Sequence, residues 1–219
     1  IDNIFIFLFM IIPIFLITGP ALPDIVITLC SIYFLYSFLL LKKDFNFLKD
    51  KLFLVSIFFW LAIIFISFFA FNKIRSFQDS FIFLRFLLIP TMTYFFLLNN
   101  EKNIRITITI IFCSVCFVSL DTFFQFLNYN SEHGFGRDLL GFKSEWYGRL
   151  TGPFGDELVP GAYISRFGLL GYLYFIFIKR RKYHTYLEII YLCLLGFICF
   201  SSGERMAFAT YFLGLFFLL

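Results

Sequence analysis

The chain has 219 residues, of which 61% are hydrophobic and 24% aromatic, and it carries a formal net charge of +4; its mean hydropathy is +0.89. A water-soluble domain has no core large enough for that apolar share, so a soluble fold is excluded and lipid is the solvent the sequence calls for. The 38 phenylalanines, with abundant Ile, Asn, Lys and Tyr, also fit the coding bias of an AT-rich genome and carry no physical signal of their own.

Apolar runs that could cross a bilayer as helices fall at 3–18, 25–41, 52–71, 81–98, 104–127, 161–178, 185–200 and 206–219. In lipid only a helix or a closed barrel satisfies the backbone, and runs of this length predict an all-α, polytopic transmembrane bundle without internal repeats. The chain opens on Ile1 and closes on Leu219 inside an apolar run. It is therefore expected to be a piece of a longer protein, with its first run a span and not a cleaved leader.

Orientation follows from the short basic loops. Lys42, Lys43, Lys49 and Lys51 lie in the loop 42–51, Lys102 and Arg105 near 99–105, and Lys179, Arg180, Arg181 and Lys182 in 179–184. These loops alternate with the others and share one side, which the positive-inside rule assigns to the cytoplasm together with the N-terminus. The opposite side holds 19–24, 72–80, 201–205 and one long loop, 128–160. Long loops tend to carry function, so the informative chemistry is expected to face away from the cytoplasm.

Arg85, Asp121 and Arg166 lie one or two turns inside the ends of their spans on that outer side, Arg149 sits in the long loop, and Arg205 opens the last span. An arginine at mid-bilayer costs on the order of 2.5–3.5 kcal/mol, less near the interface, where its stem snorkels. Two accounts compete for four arginines at one depth. One is ion pairing, Asp121 with Arg85 or Arg166, Glu157 with Arg149, and Glu204 with Arg205. The other is an anionic ligand, because the planar guanidinium fork suits phosphate oxygens. Lys73 and Arg75 need neither, since snorkelling to phospholipid heads accounts for them.

Local patterns sharpen this. Ser201-x-x-Glu204 matches a capping box and predicts a helix start with Arg205 in its first turn. A bound anion or Glu204 would balance that cation at the positive helix end. Gly152-Pro153 and Gly155 break regular structure, Asp156 is expected to cap the following helix with Glu157 in its first turn, and Pro160 fits an early helical position. Cys113 and Cys116 form a C-x-x-C amid Ile, Phe and Val and read as plain apolar helix positions. His133 reads as a solvated loop residue, and no metal-ligand spacing, phosphate loop or nucleophile elbow occurs.

The stretches SLDTFFQF (119–126), LLGF (139–142), GRLTGPFGDELVPGAYI (148–164) and SSGERMAF (201–208), with ITGPALPDI at 17–25, resemble the bacterial O-antigen polymerase and O-antigen ligase family. The resemblance implies an integral inner-membrane glycosyltransferase of GT-C-like helical architecture with one large periplasmic loop. Such enzymes transfer glycan from an undecaprenyl-pyrophosphate carrier to a sugar acceptor, a glycan or the lipid A core. It further implies contact with membrane lipid, no nucleic acid, no cofactor, no nucleotide sugar and, for the ligases, no metal. Arg149 and Arg205 match the family's pyrophosphate-handling arginines, with Arg166 and Arg85 beside them. Glu157 would orient Arg149 or, as the lesser alternative, activate the acceptor hydroxyl, while Asp121, Asp156 and Glu204 support the site. The ligases' catalytic histidine is expected beyond residue 219, which leaves the general base unassigned. Two rivals remain at this point: a flippase or transporter for an anionic lipid or glycan, and a non-catalytic membrane subunit.

Overall fold

The computed structural model describes residues 2–41, 51–98, 100–130, 132, 134, 136–177 and 184–218. It is all-helical; among the described residues there is no strand, only isolated bridges pairing Asn130 with Gly134 and Arg137 with Lys143. Lys42, Lys43, Lys49, His133, Lys179, Arg180, Arg181 and Lys182 lie outside the described residues. The chain divides into two compact units, Ile1–Ile12 with Ala21–Ile104, and Pro13–Pro20 with Arg105–Leu219.

The first unit contains α1 (Asp2–Met10), α3 (Ala21–Leu41), α4 (Lys51–Ser67), α5 (Lys73–Leu87), α6 (Ile89–Thr93) and a π-helical segment, Tyr94–Leu98. Its core is aromatic. Phe5 stacks on Tyr33 with ring centroids 4.0 Å apart, and Phe96 stands edge-on to Phe9 and Phe34. α4 and α5 form a hairpin cross-linked by polar groups. The Ser67 and Ser80 hydroxyls are 2.6 Å apart, and Trp60 Nε1 donates to Ser80 O at 3.0 Å. Small hydroxyl residues let apolar helices approach closely and satisfy one another. α5 starts at Lys73, well before the predicted 81, because Asn72 Oδ1 accepts the Arg75 N–H at 3.2 Å and caps an amphipathic first half.

The predicted first span, 3–18, does not form one helix. It breaks into α1, a short α2 (Ile12–Phe15) and a 3-10 turn, Leu16–Thr18. Pro13 denies the helix a donor, and Gly19 at φ 112° leaves helical space altogether.

The second unit is built on α7 (Glu101–Leu127), α8 (Pro160–Phe177), α9 (His184–Ser201) and α10 (Arg205–Leu218). Val115, Val118, Ile164, Leu195, Ile198 and Tyr211 are fully buried between them. The core tyrosines keep their hydroxyls paired: Tyr191 with Gly168 O at 2.9 Å, Tyr211 with Leu192 O at 2.7 Å, and Tyr163 with Pro13 O at 2.9 Å. An unpaired phenol in this setting costs about 1–3 kcal/mol.

Among the described residues, two helical stretches are long and apolar enough to cross a membrane, Lys73–Leu98 and Glu101–Leu127. Ala21–Ser37, Phe53–Ser67, Thr185–Ser201 and Arg205–Leu218 are shorter apolar helices.

Candidate functional site

The C-terminal end of α7 and the 128–159 segment organise the polar residues of the second unit. Asp121, Thr122 and Gln125 share one helical face and are completely buried. Gln125 acts as a clamp. Its Oε1 accepts the N–H of Thr151 at 3.0 Å and of Gly152 at 2.9 Å, and its Nε2 donates to Thr151 Oγ1 at 3.2 Å. Gly152 has φ 52°, and a Cβ there would collide with Thr122 Oγ1. The 3-10 turn Gly152–Phe154 therefore lies hard against α7.

Asp121 Oδ1 accepts the N–H of Leu139 at 2.9 Å, and Asp138 Oδ1 that of Phe142 at 2.6 Å. Burial pushes the Asp138 carboxyl above its ordinary value of 3.8, against the pull of the backbone N–H groups of Phe142, Gly141 and Leu140.

The α9–α10 turn forms the other half of the site. Ser202 N–H closes on Ile198 O, Gly203 adopts φ 75°, and Glu204 begins α10 by accepting the Phe208 N–H at 3.1 Å through its carbonyl. Glu204 Oε1 then reaches across to the N–H of Gly161 at 3.0 Å, in the first turn of α8. One carboxylate thus ties the start of one helix to the start of another, where helix dipoles favour negative charge. Burial pushes the Glu204 carboxyl above its ordinary 4.5, opposed by the Gly161 and Ala162 N–H groups and by the charges of Arg149 and Arg166. The Arg149 stem lies over Gly203: a Cβ at 203 would be 3.3 Å from its Cδ and 3.4 Å from its Nε.

Arg149, Arg166 and Arg205 are all exposed, and their side chains make no ion pair or hydrogen bond with the other described residues. Glu204 lies within electrostatic reach of Arg149 and Arg166. The same unit holds a cleft of about 870 Å³, walled by Ile17, Phe117, Leu140, Phe142, Phe154 and Glu157 among others. The segment 149–161 links the two features: Arg149 is at one end, Gly161 at the other, and Pro153, Phe154, Gly155 and Glu157 line the cleft.

Several expectations change. Arg85 belongs to the first unit and is already matched, its Nη2 2.6 Å from Asp24 Oδ1 and its Nη1 2.8 Å from Thr28 Oγ1. Asp121 therefore does not neutralise Arg85; it holds the Leu139 backbone instead. Asp156 does not cap α8, which starts at Pro160 with Val159 O accepting the Tyr163 N–H; Asp156 and Glu157 are exposed before it. Glu157 makes no ion pair with Arg149. Ser201 is the last residue of α9 and not a cap, so the capping-box reading fails, although a helix does begin at Arg205.

Gln125 and Asp138 escaped the sequence reading. The signal for Gln125 was its spacing from Asp121, one helical turn along the same face. Cys113 and Cys116 lie on α7 without a metal-binding group of side chains among the described residues. No family model, curated protein or solved structure matches the chain.

Proposed function

We propose that the chain is the membrane part of an inner-membrane glycosyltransferase of the O-antigen polymerase or ligase type. It takes glycan from an undecaprenyl-pyrophosphate carrier to a sugar acceptor, a growing glycan or the lipid A core, on the periplasmic face of a polytopic bundle. The observation that carries this reading is the Arg149 stem lying over Gly203, with Arg149 and Arg166 in electrostatic reach of Glu204, in the same unit as a large apolar cleft. Two stretches far apart in sequence, 149–166 and 201–204, thereby come together.

A carrier with an isoprenoid tail and a diphosphate head matches both halves of this arrangement. The cleft suits the tail, and the guanidinium groups suit the phosphates. Breaking the sugar–phosphate bond builds negative charge on the leaving diphosphate. Fixed arginines stabilise that charge more in the transition state than in the bound substrate, which is what accelerates the step. Glu204 holds the α8 start in place through Gly161 and sets a negative charge within reach of Arg149 and Arg166. Glu157, exposed on the cleft wall and unpaired with Arg149, supports a role as base for the acceptor hydroxyl. Arg85, matched by Asp24, has no part in it.

The test is Arg149→Ala and Arg205→Ala in the full-length protein. Surface polysaccharide is run on a gel and carrier-linked glycan is measured. Loss of one such donor should slow transfer by about 10²–10³ and let carrier-linked glycan accumulate. Unchanged banding at normal protein level would defeat the transferase reading.

A further inference from the structure

The turn 137–143 does not have the composition of an aqueous loop. Its closure is tight: Asp138 N–H donates to Phe142 O at 2.9 Å, Gly141 N–H to Asp138 O at 3.2 Å, and Phe142 N–H to the Asp138 carboxylate. Gly141 supplies the left-handed residue, with φ 90°. Arg137 and Lys143 face each other across the bridge at the base, both exposed. At the tip, Leu139, Leu140 and Phe142 are 55%, 54% and 48% exposed. Side chains of this kind are stabilised by leaving water, so three held out in water by a rigid turn is an unfavourable arrangement.

The depth of the turn explains it. Leu139 is bonded to Asp121, and Asp121 lies ~9 Å back along α7 from its end at Leu127, at ~1.5 Å per residue. Leu140 and Phe142 line the same cleft as Phe117, Ser114 and Cys113, still further back along that helix. The chain leaves α7, turns, and comes back beside it.

We infer that the turn 137–143 is re-entrant: it inserts Leu139, Leu140 and Phe142 among the acyl chains of the leaflet at the C-terminal end of α7, with Arg137 and Lys143 on anionic phospholipid headgroups. The inference rests on α7 crossing the bilayer and not on glycan transfer. Non-helical backbone is tolerated at membrane depth where it packs against protein or a cavity with its polar groups paired, and the base of the turn is packed, Asp138 and Ser144 being buried. The buried carboxylates do the pairing, Asp121 for Leu139 and Asp138 for Phe142. Basic residues flanking an apolar tip match the sign of anionic headgroups and are attracted to such a surface. Exposed Tyr129, Trp146 and Tyr147 follow on either side, the residue types that gather at the membrane–water boundary.

The experiment uses the full chain in vesicles of phosphatidylcholine with or without phosphatidylglycerol. Leu140→Trp and, separately, Phe142→Trp are made with Trp60→Phe, Trp146→Phe and any tryptophan outside residues 1–219 replaced in the same way, so that each variant has one reporter. Glu145→Trp in the same background is the reference at the membrane–water boundary. Tip emission is expected to be quenched severalfold more by lipids brominated at mid-chain than by aqueous iodide, with the reverse at position 145. Iodide quenching at both tip positions equal to that at 145 would overturn the insertion. Either reporter suffices if the other variant is not monodisperse. The headgroup part is read from R137A/K143A. Deeper insertion in phosphatidylglycerol than in phosphatidylcholine should vanish in that variant; a preference that persists unchanged overturns the assignment of those two cations.

Discussion

Replacing Gln125 by Met isolates a hydrogen-bond clamp from its packing. The side chains have similar length and volume, so the fully buried site stays filled. What disappears is the acceptor for the Thr151 and Gly152 N–H groups, together with the donor to Thr151 Oγ1. A buried donor left without a partner costs about 1–3 kcal/mol, so two backbone N–H groups put the loss at roughly 2–6 kcal/mol. The upper part of that range requires the 151–152 backbone to stay put; the lower part corresponds to its lifting off α7 into water. Hydrogen exchange in detergent micelles separates the outcomes. Amides 149–154 should exchange faster by about tenfold or more for each 1.4 kcal/mol lost locally. Those of α9 and α10 should not change. Gln125→Glu keeps both acceptor functions and should recover most of the protection. Unaltered exchange at 149–154 in the Met variant would refute the claim that this one amide fixes the segment carrying Arg149.

Other consequences are equally direct. Gly161→Ala should lower thermal stability in micelles by about 1–3 kcal/mol, because a Cβ there collides with Ser202 Oγ and comes within 3.0 Å of Glu204 Oε1 and 3.2 Å of Ala207 Cβ. Asp138 has a folded-state pKa above its ordinary 3.8, so the folded chain holds that proton more tightly than the unfolded chain. Stability from this group is greatest at low pH and falls as pH rises from about 3.8 through the raised value; Asp138→Asn should flatten that part of a pH–stability curve, and an unchanged slope would contradict the burial argument. A double-mutant cycle over Arg85→Ala and Asp24→Ala should give a coupling of about 0.5–3 kcal/mol, with no change in carrier-linked glycan beyond what the loss of folded protein explains.

The apolar runs made most of the helices legible, because the requirement to pair backbone groups in lipid leaves few alternatives. Two boundaries failed for identifiable reasons. The first half of α5, KIRSFQDS, carries too many polar side chains to look like a span, yet Asn72 caps it and it folds as a helix. The first run looked continuous by hydropathy, but Pro13 and Gly19 interrupt it, and backbone chemistry is invisible to a hydropathy sum. At the site, the sequence grouped Arg85, Asp121, Arg149, Arg166 and Arg205 on grounds of depth, and of these Arg149 and Arg166 both come within electrostatic reach of Glu204. Depth along the chain says nothing about azimuth, which is why Arg85 was grouped with them when its partner is Asp24. Gln125 and Asp138 were overlooked because a buried polar residue has no mark in sequence; only the backbone groups it satisfies identify it.

The bond from Glu204 to Gly161 also constrains the order of biogenesis. Residues are delivered from the ribosome in chain order, so the Gly161 amide is made 43 residues before the carboxylate that completes its turn. Until position 204 arrives, the Gly161 amide must be served by water or by translocon groups, and α8 cannot settle at its final depth. The hairpin of α9 and α10 is therefore the closing event for this half of the protein, and truncation before residue 204 should leave α8 exposed to membrane proteases.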